Sequence, residues 1–335
     1  MGQAQQTTQQ ETGSSRPSLA QIFEPVLPDM PRVEEALASV ADVQYPLLAK
    51  VLSHVVKSGG KRLRPGLTLL SGRFYDYDLS LLVPMAVAVE LLHAATLVHD
   101  DVIDDSGMRR GSPTLNSFWN GGTTILIGDY VFAKSADFVA STNNTRVIRL
   151  FADTLMLICD GELRQRFSAY QWQQSLDDYY KRIEGKTARL FRGATESGAI
   201  LSNAPEEVVQ ALSAYGHQVG MAFQIIDDIL DFVGDEHEVG KPIGNDLAQG
   251  TLTLPTILLM ARYPNDNPIP EIFANGGQGV ERAIERIVNS EVIAESYKVA
   301  ASFCERAREA VAILPPGQWR QGLLDFTEYL LVRSA

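Results

Sequence analysis

LLVPMAVAVELLHAATLVHDDVIDD, residues 81–105, is apolar for most of its length and closes on His99-Asp100-Asp101-Val102-Ile103-Asp104-Asp105. Apolar residues recurring at three- and four-residue steps over so long a run predict a helix set into a core. The acidic end carries the chemistry. A second run, Gln224-Ile225-Ile226-Asp227-Asp228-Ile229-Leu230-Asp231, follows the apolar MAFQII in the same way far downstream. Both contain DDxxD. On a helix, positions i and i+4 share a face about one turn apart, so Asp100 with Asp104, and Asp227 with Asp231, can each grip a cation from one side. A lone DDxxD is ordinarily a solvated helix face. Here both runs border apolar sequence, and carboxylates crowded in a partly dry site repel one another and take up protons unless a cation compensates them. All-oxygen ligands favour a hard ion, and Mg²⁺ usually takes one or two carboxylates plus substrate phosphates. Two such motifs predict a cleft holding several Mg²⁺ ions against a polyphosphate.

Basic residues elsewhere fit an anion. Gly59-Gly60-Lys61-Arg62-Leu63-Arg64-Pro65 is a cationic turn whose glycines let the backbone approach closely. Its spacing is not that of a Walker A loop. Arg109 and Arg110 follow the first acidic run in a glycine-bounded loop, GMRRGSPT, and arginine forks match phosphate oxygens in pairs. Any one of these alone would read as surface charge; beside the acidic pairs, anion binding is the better account.

The rest of the chain sets limits. It has 335 residues, 45% hydrophobic and 21% charged, with a formal charge of −12. That charge argues against nucleic acid as a partner. Two cysteines, Cys159 and Cys304, give neither a disulfide framework nor a zinc spacing and suit a reducing cytoplasm. No stretch approaches eighteen uninterrupted apolar residues, so no membrane-spanning helix is expected. Residues 1–18 read as a disordered Gln/Thr/Ser-rich tail. Beyond it, helices are expected over residues 81–105, 125–140, 147–170, 176–201, 206–233, 253–262, 280–314 (broken near Asn289) and 318–332, with no convincing strand. The expected architecture is all-α, one large helical bundle from residue 19 to residue 335 around a central cavity. Asn143-Asn144-Thr145, Asp76 with Asp78, His217 and His237 carry no further signal.

With these residues in hand, the chain resembles a trans-type polyprenyl diphosphate synthase over nearly everything from Leu19 onward. The motifs are GGKRLRP (59–65), ELLHAATLVHDDVIDDSGMRRGSPT (90–114), GDY (128–130), GEL (161–163), KTARLF (186–191), YGHQVGMAFQIIDDILDFVGD (215–235) and GKPIGNDLAQGTLTLP (240–255). The resemblance implies the isoprenoid synthase fold and condensation of isopentenyl diphosphate with an allylic diphosphate, with about three Mg²⁺ ions. It implies metal binding by Asp100, Asp101, Asp104, Asp227, Asp228 and Asp231. Arg109, Lys186 and Lys241 would contact the allylic diphosphate, and Lys61, Arg64, His93 and Arg110 the isopentenyl diphosphate. Thr187 and Gln224 would point oxygens at the developing cation. A homodimer is also implied, and long, membrane-soluble products leave room for a peripheral membrane contact. One departure stands out: Gly250-Thr251 replaces the Gly-Lys usual before the TLP stretch.

Product length is read from the helix before Asp100. Residues Thr96 and Ala95 lie about one turn deeper, followed by Leu92 and Ala88, and none is the bulky aromatic that stops elongation early in the family. A product longer than farnesyl, roughly C30 to C50, is expected, with a geranylgeranyl product or close helix packing at the two alanines as the alternatives. A terpene cyclase on the same scaffold would not need Lys61, Arg64 and His93. A regulatory subunit would usually lack one acidic motif. A cation-storing protein would have no use for the basic cluster.

Overall fold

The computed structural model describes residues 17–109, 112–234 and 242–333. Its helices are α1 (Leu19–Ile22), α2 (Met30–Ser39), α3 (Pro46–Lys57), α4 (Leu63–Gly72), α5 (Leu79–Ile103), α6 (Gly121–Ser141), α7 (Thr145–Phe167), α8 (Leu176–Ile183), α9 (Arg189–Leu201), α10 (Glu206–Val233), α11 (Asn245–Ala248), α12 (Leu254–Arg262), α13 (Ile269–Ala274), α14 (Glu281–Val288), α15 (Val292–Ala310) and α16 (Gln318–Val332). The fold is all-α, as expected. Of the tail expected over residues 1–18, only Pro17 and Ser18 are described, and Ser18 caps α1 by accepting from Gln21 N.

Three differences from the sequence expectation have local causes. Residues 176–201 form α8 and α9 joined by a π-helical turn, Glu184–Ala188, where one extra residue is accommodated. Met108–Arg109 and Ser112–Pro113 pair as an antiparallel ribbon, too short for an alternating pattern to register. Finally, α5 is long and apolar enough to cross a membrane by length and composition. In this fold 61% of its most apolar window is buried, so it serves as the core helix.

Interhelical contacts follow from small residues and buried hydroxyls. Helices α5 and α6 run antiparallel: the His99 ring lies where a side chain at Gly128 would sit, and Ser135 Oγ donates to Ala88 O at 2.6 Å. Helices α9 and α10 are also antiparallel, with Thr195 Oγ1 donating to Leu212 O at 2.6 Å and Ala188 packed on Gly220. Helix α4 lies beside α9, so that Arg64 stacks 4.5 Å from the Phe191 ring centre. Helix α15 packs along α10, and α16 is tied in by Tyr215 Oη donating to Leu323 O at 2.7 Å. Tyr179, Phe191, Tyr215, Phe232 and Phe326 are fully buried between these layers. Burying each such ring stabilises the fold by about 1.5–3 kcal/mol. This packing brings the C-terminal ends of α5, α7 and α10 to the same end of the bundle, around the π turn.

Candidate active site

The π turn joins the two acidic runs. Glycines at residues 161 and 185 allow it to meet α7 backbone to backbone. A Cβ on Gly161 would lie 2.8 Å from Lys186 N, and one on Gly185 would lie 2.7 Å from Leu157 O. Close contact there sets Lys186 Nζ 2.9 Å from Glu162 Oε1. Burial works against the Lys186 charge, but Glu162, Asp100 and Asp104 outweigh it and hold the ammonium above its ordinary range. Asp100 feels the reverse. Burial pushes its carboxyl up to about 7, Lys186 pulls it down, and Glu162 and Asp104 push it up again.

Thr187, the next residue on the turn, donates through Oγ1 to Gln224 Oε1 at 2.5 Å. Gln224 Nε2 donates to Asp228 Oδ1 at 2.9 Å, and the buried Tyr179 hydroxyl donates to Asp228 Oδ2 at 2.7 Å. Asp228 is likewise pushed up to about 7, first by burial and then by Asp246, against the pull of Gln224, Tyr179 and Arg182. Hydrogen bonds therefore run from Thr187 through Gln224 to Asp228, while the neighbouring Lys186 pairs with Glu162 and acts on Asp100 through its charge.

The remaining acids take distinct positions. Asp104 caps α5 with its N–H on Asp100 O at 2.8 Å. Asp101, a quarter-turn away from Asp100, meets Arg109 Nε at 2.7 Å. Both line a hollow of about 190 Å³ together with Gly59, Gly60, Glu90 and His93. Asp227 pairs with Arg333 at 3.1 Å, just past the end of α16. Asp231 accepts from Asp246 N at 3.3 Å and so holds the start of α11. Lys61 Nζ donates to the Tyr329 hydroxyl at 3.0 Å. Arg110 and Lys241 lie outside the described residues.

Among the described residues no three acids, histidines or cysteines converge as a ready-made metal cluster. An Mg²⁺ ion usually takes one or two carboxylates, with phosphate and water completing its shell. Asp100, raised to about 7, is a donor that a divalent cation would return to full charge, whereas both oxygens of Asp228 are already engaged by Tyr179 and Gln224.

Sequence reasoning assigned no role to Glu162, Tyr179, Asp246 or Arg333. Glu162 and Asp246 fall inside motifs that were recognised, GEL and GKPIGNDLAQG, so spacing offered a signal. Tyr179 and Arg333 offered none, because their partners lie far away in sequence. At the departure from the family pattern, Thr251 N donates to Asp246 O at 2.9 Å, and Tyr170 holds the turn by donating from its N–H to Gly250 O at 2.9 Å.

Comparison with known proteins identifies the family. Residues 45–290 match the family model described as polyprenyl synthetase. The chain is 38% identical to heptaprenyl diphosphate synthase component 2 of Bacillus subtilis, over 90% of this chain and 87% of that one. It is 38% identical to the all-trans-nonaprenyl-diphosphate synthase (geranyl-diphosphate specific) of Rhodobacter capsulatus, over 93% and 97% of the two chains. A polyprenyl synthase from Caulobacter crescentus, solved with calcium and isoprenyl diphosphate, superposes with a TM-score of 0.90 at 30% identity, covering 95% of this chain and 98% of that one.

Proposed function

Since this chain belongs to the polyprenyl synthetase family and is a prenyltransferase, we propose the following for its own residues: Asp100, Asp104 and Asp227 hold about three Mg²⁺ ions against an allylic diphosphate. The observation that carries this is the π turn between the two acidic runs, whose Lys186 acts on Asp100 through its charge and whose Thr187 is hydrogen-bonded through Gln224 to Asp228. The chain condenses isopentenyl diphosphate with an allylic diphosphate to make an all-trans polyprenyl diphosphate longer than C15.

Asp101 and Asp228 are better placed as positioning acids, the first for Arg109 and the second for Gln224 and Tyr179. Asp231 steadies the loop that carries Asp246. Bound magnesium would supply positive charge to the departing pyrophosphate. Lys186 and Arg109 add cationic contacts to the same leaving group. With its proton donated to Gln224, the Thr187 oxygen keeps lone pairs for an electron-poor carbon. Arg64, His93 and Lys61 line the approach of isopentenyl diphosphate, and Arg110 and Lys241 are assigned by resemblance alone. The apolar flank of α5 keeps water from the cation. The proton lost after coupling passes to pyrophosphate.

Ala95, Thr96, Leu92 and Ala88 are proposed to leave a deep path for the growing tail. Ala95 and Ala88 share the α5 face that meets α6 at His99 and Ser135, so they also set how closely α6 approaches. Purified protein with Mg²⁺, isopentenyl diphosphate and labelled allylic primers should yield long-chain products, and Ala95→Phe should shorten them. No condensation by the wild-type chain alone would sink the reading of a self-sufficient synthase; an unchanged product length in the variant would sink the path. The same assay decides the second reading, suggested by the heptaprenyl relative's description as a component. A chain active alone needs no second subunit.

A homodimer is proposed as well, in the cytoplasm. Leu126 on α6 and Met156, Leu163 and Phe167 on α7 are large apolar side chains left exposed, which a second copy would cover. Light scattering should give twice the chain mass, and a monomer at micromolar concentration would refute it.

A further inference from the structure

Between α3 and α4 the turn that carries Lys61 is held by one side chain, Arg62. Its backbone is left-handed, φ +50°, a conformation that non-glycine residues adopt only when their surroundings enforce it. Folded back over the turn, the guanidinium reaches three helices. Nε and Nη2 donate to the two carboxylate oxygens of Glu34 on α2, at 2.8 and 3.3 Å. Nη1 donates to Glu90 Oε1 on α5 at 2.9 Å, and Glu90 is only 5% exposed. Nη2 also donates to Val56 O, in the last turn of α3, at 2.9 Å. Gly59 is glycine for the same reason: a Cβ there would lie 1.8 Å from Arg62 Nη1.

The hydrogen-bonding edge of the guanidinium is thus spent on protein, in a geometry that only a planar fork can satisfy. Its neighbours in the motif face elsewhere. Lys61 reaches Tyr329 on α16, and Arg64 stacks on Phe191 of α9. His93 lies one turn beyond Glu90 on the same helix and lines the same hollow as Gly59, Gly60, Arg62 and Glu90.

We propose that Arg62 is a positioning residue: pinned to Glu34, Glu90 and Val56 across Gly59, it fixes the turn so that Lys61, Arg64 and His93 form one diphosphate subsite, that of isopentenyl diphosphate. This rests on the reaction proposed above. On the allylic side, Asp100, Lys186 and Asp227 make none of these contacts, while Asp101 and Arg109 share the hollow with Arg62 but pair with each other.

Two variants test it in the full-length protein. Arg62→Lys keeps the charge but loses the fork. Gly59→Ala keeps Arg62 and adds a methyl where the guanidinium lies; φ at Gly59 is not in the left-handed region, so alanine is tolerated by the backbone. Steady-state kinetics with each substrate varied in turn should show KM for isopentenyl diphosphate raised about tenfold in both variants, with KM for the allylic primer changed less than about twofold. Both values rising in parallel, or neither moving while the melting temperature falls, would mean that the clamp is only structural and would overturn the proposal. A wild-type chain that does not condense the two diphosphates by itself would refute the self-sufficient reaction proposed above, which separates the two failures. Glu34→Gln, at a partly exposed position, supplies a third variant that keeps the fold and should give a smaller shift in the same direction.

Discussion

Asp100→Asn is expected to lower kcat by about 10²–10³-fold while leaving the ligand-free protein as stable as before or more so. The two halves have one cause. Asp100 is held at about 7 by burial and by Glu162 and Asp104, so its negative charge is costly in the empty fold. An isosteric amide removes that cost and can still accept a hydrogen bond. It cannot hold a magnesium ion with a full charge, and on the proposed reading that charge is needed while the allylic bond ionises. Initial rates at saturating substrate and a thermal melt of the same preparation check both halves. A loss of activity below tenfold would remove Asp100 from the metal site. A large fall in melting temperature would show that the carboxylate is a structural partner instead.

Gly161→Ala is expected to reduce kcat by about 10²-fold, because a displacement near 1 Å at a reacting group has that consequence. The added methyl would sit 2.8 Å from Lys186 N and 3.1 Å from Gly185 C, and both are backbone atoms with no rotamer to escape into. Helix α7 and the π turn must part, carrying Lys186 away from Glu162 and Thr187 away from Gln224. Overpacking of this kind also costs about 1–3 kcal/mol of stability. Urea denaturation gives the second figure and turnover at saturating substrates the first. If kcat holds while stability falls, the close contact serves packing alone, and the placement of Lys186 is not decided by these glycines.

Much of the architecture was legible because local patterns and tertiary burial agree. Glu206–Val233 and Gln318–Val332 begin and end where their apolar periodicity and flanking breakers predict. The break near Asn289 is present, between α14 and α15. Periodicity missed the π turn at 184–188, since one inserted residue barely disturbs a helical pattern. It also undercounted α5 as an apolar span, because scattered polar residues such as His93 interrupt the run without lowering its mean hydropathy enough to matter.

For the site, spacing along one helix identified the acids but not their directions relative to other helices. Asp100 and Asp101 are adjacent in sequence, yet one is governed by Lys186 and the other pairs with Arg109. Asp227 and Asp228 divide in the same way, one meeting Arg333 and the other Tyr179 and Gln224.

From sequence alone came the all-helical class and the set of acids and bases, since each depends on residue type and short helical spacing, and the reaction family, carried by motifs spread over residues 59–255. Only the folded chain decides which partner each acid meets, why Gly59, Gly161 and Gly185 must be bare, and how Arg62 locks its turn. Those outcomes depend on contacts between segments far apart in the chain, where a single methyl group or carboxylate on one helix meets the backbone or guanidinium of another.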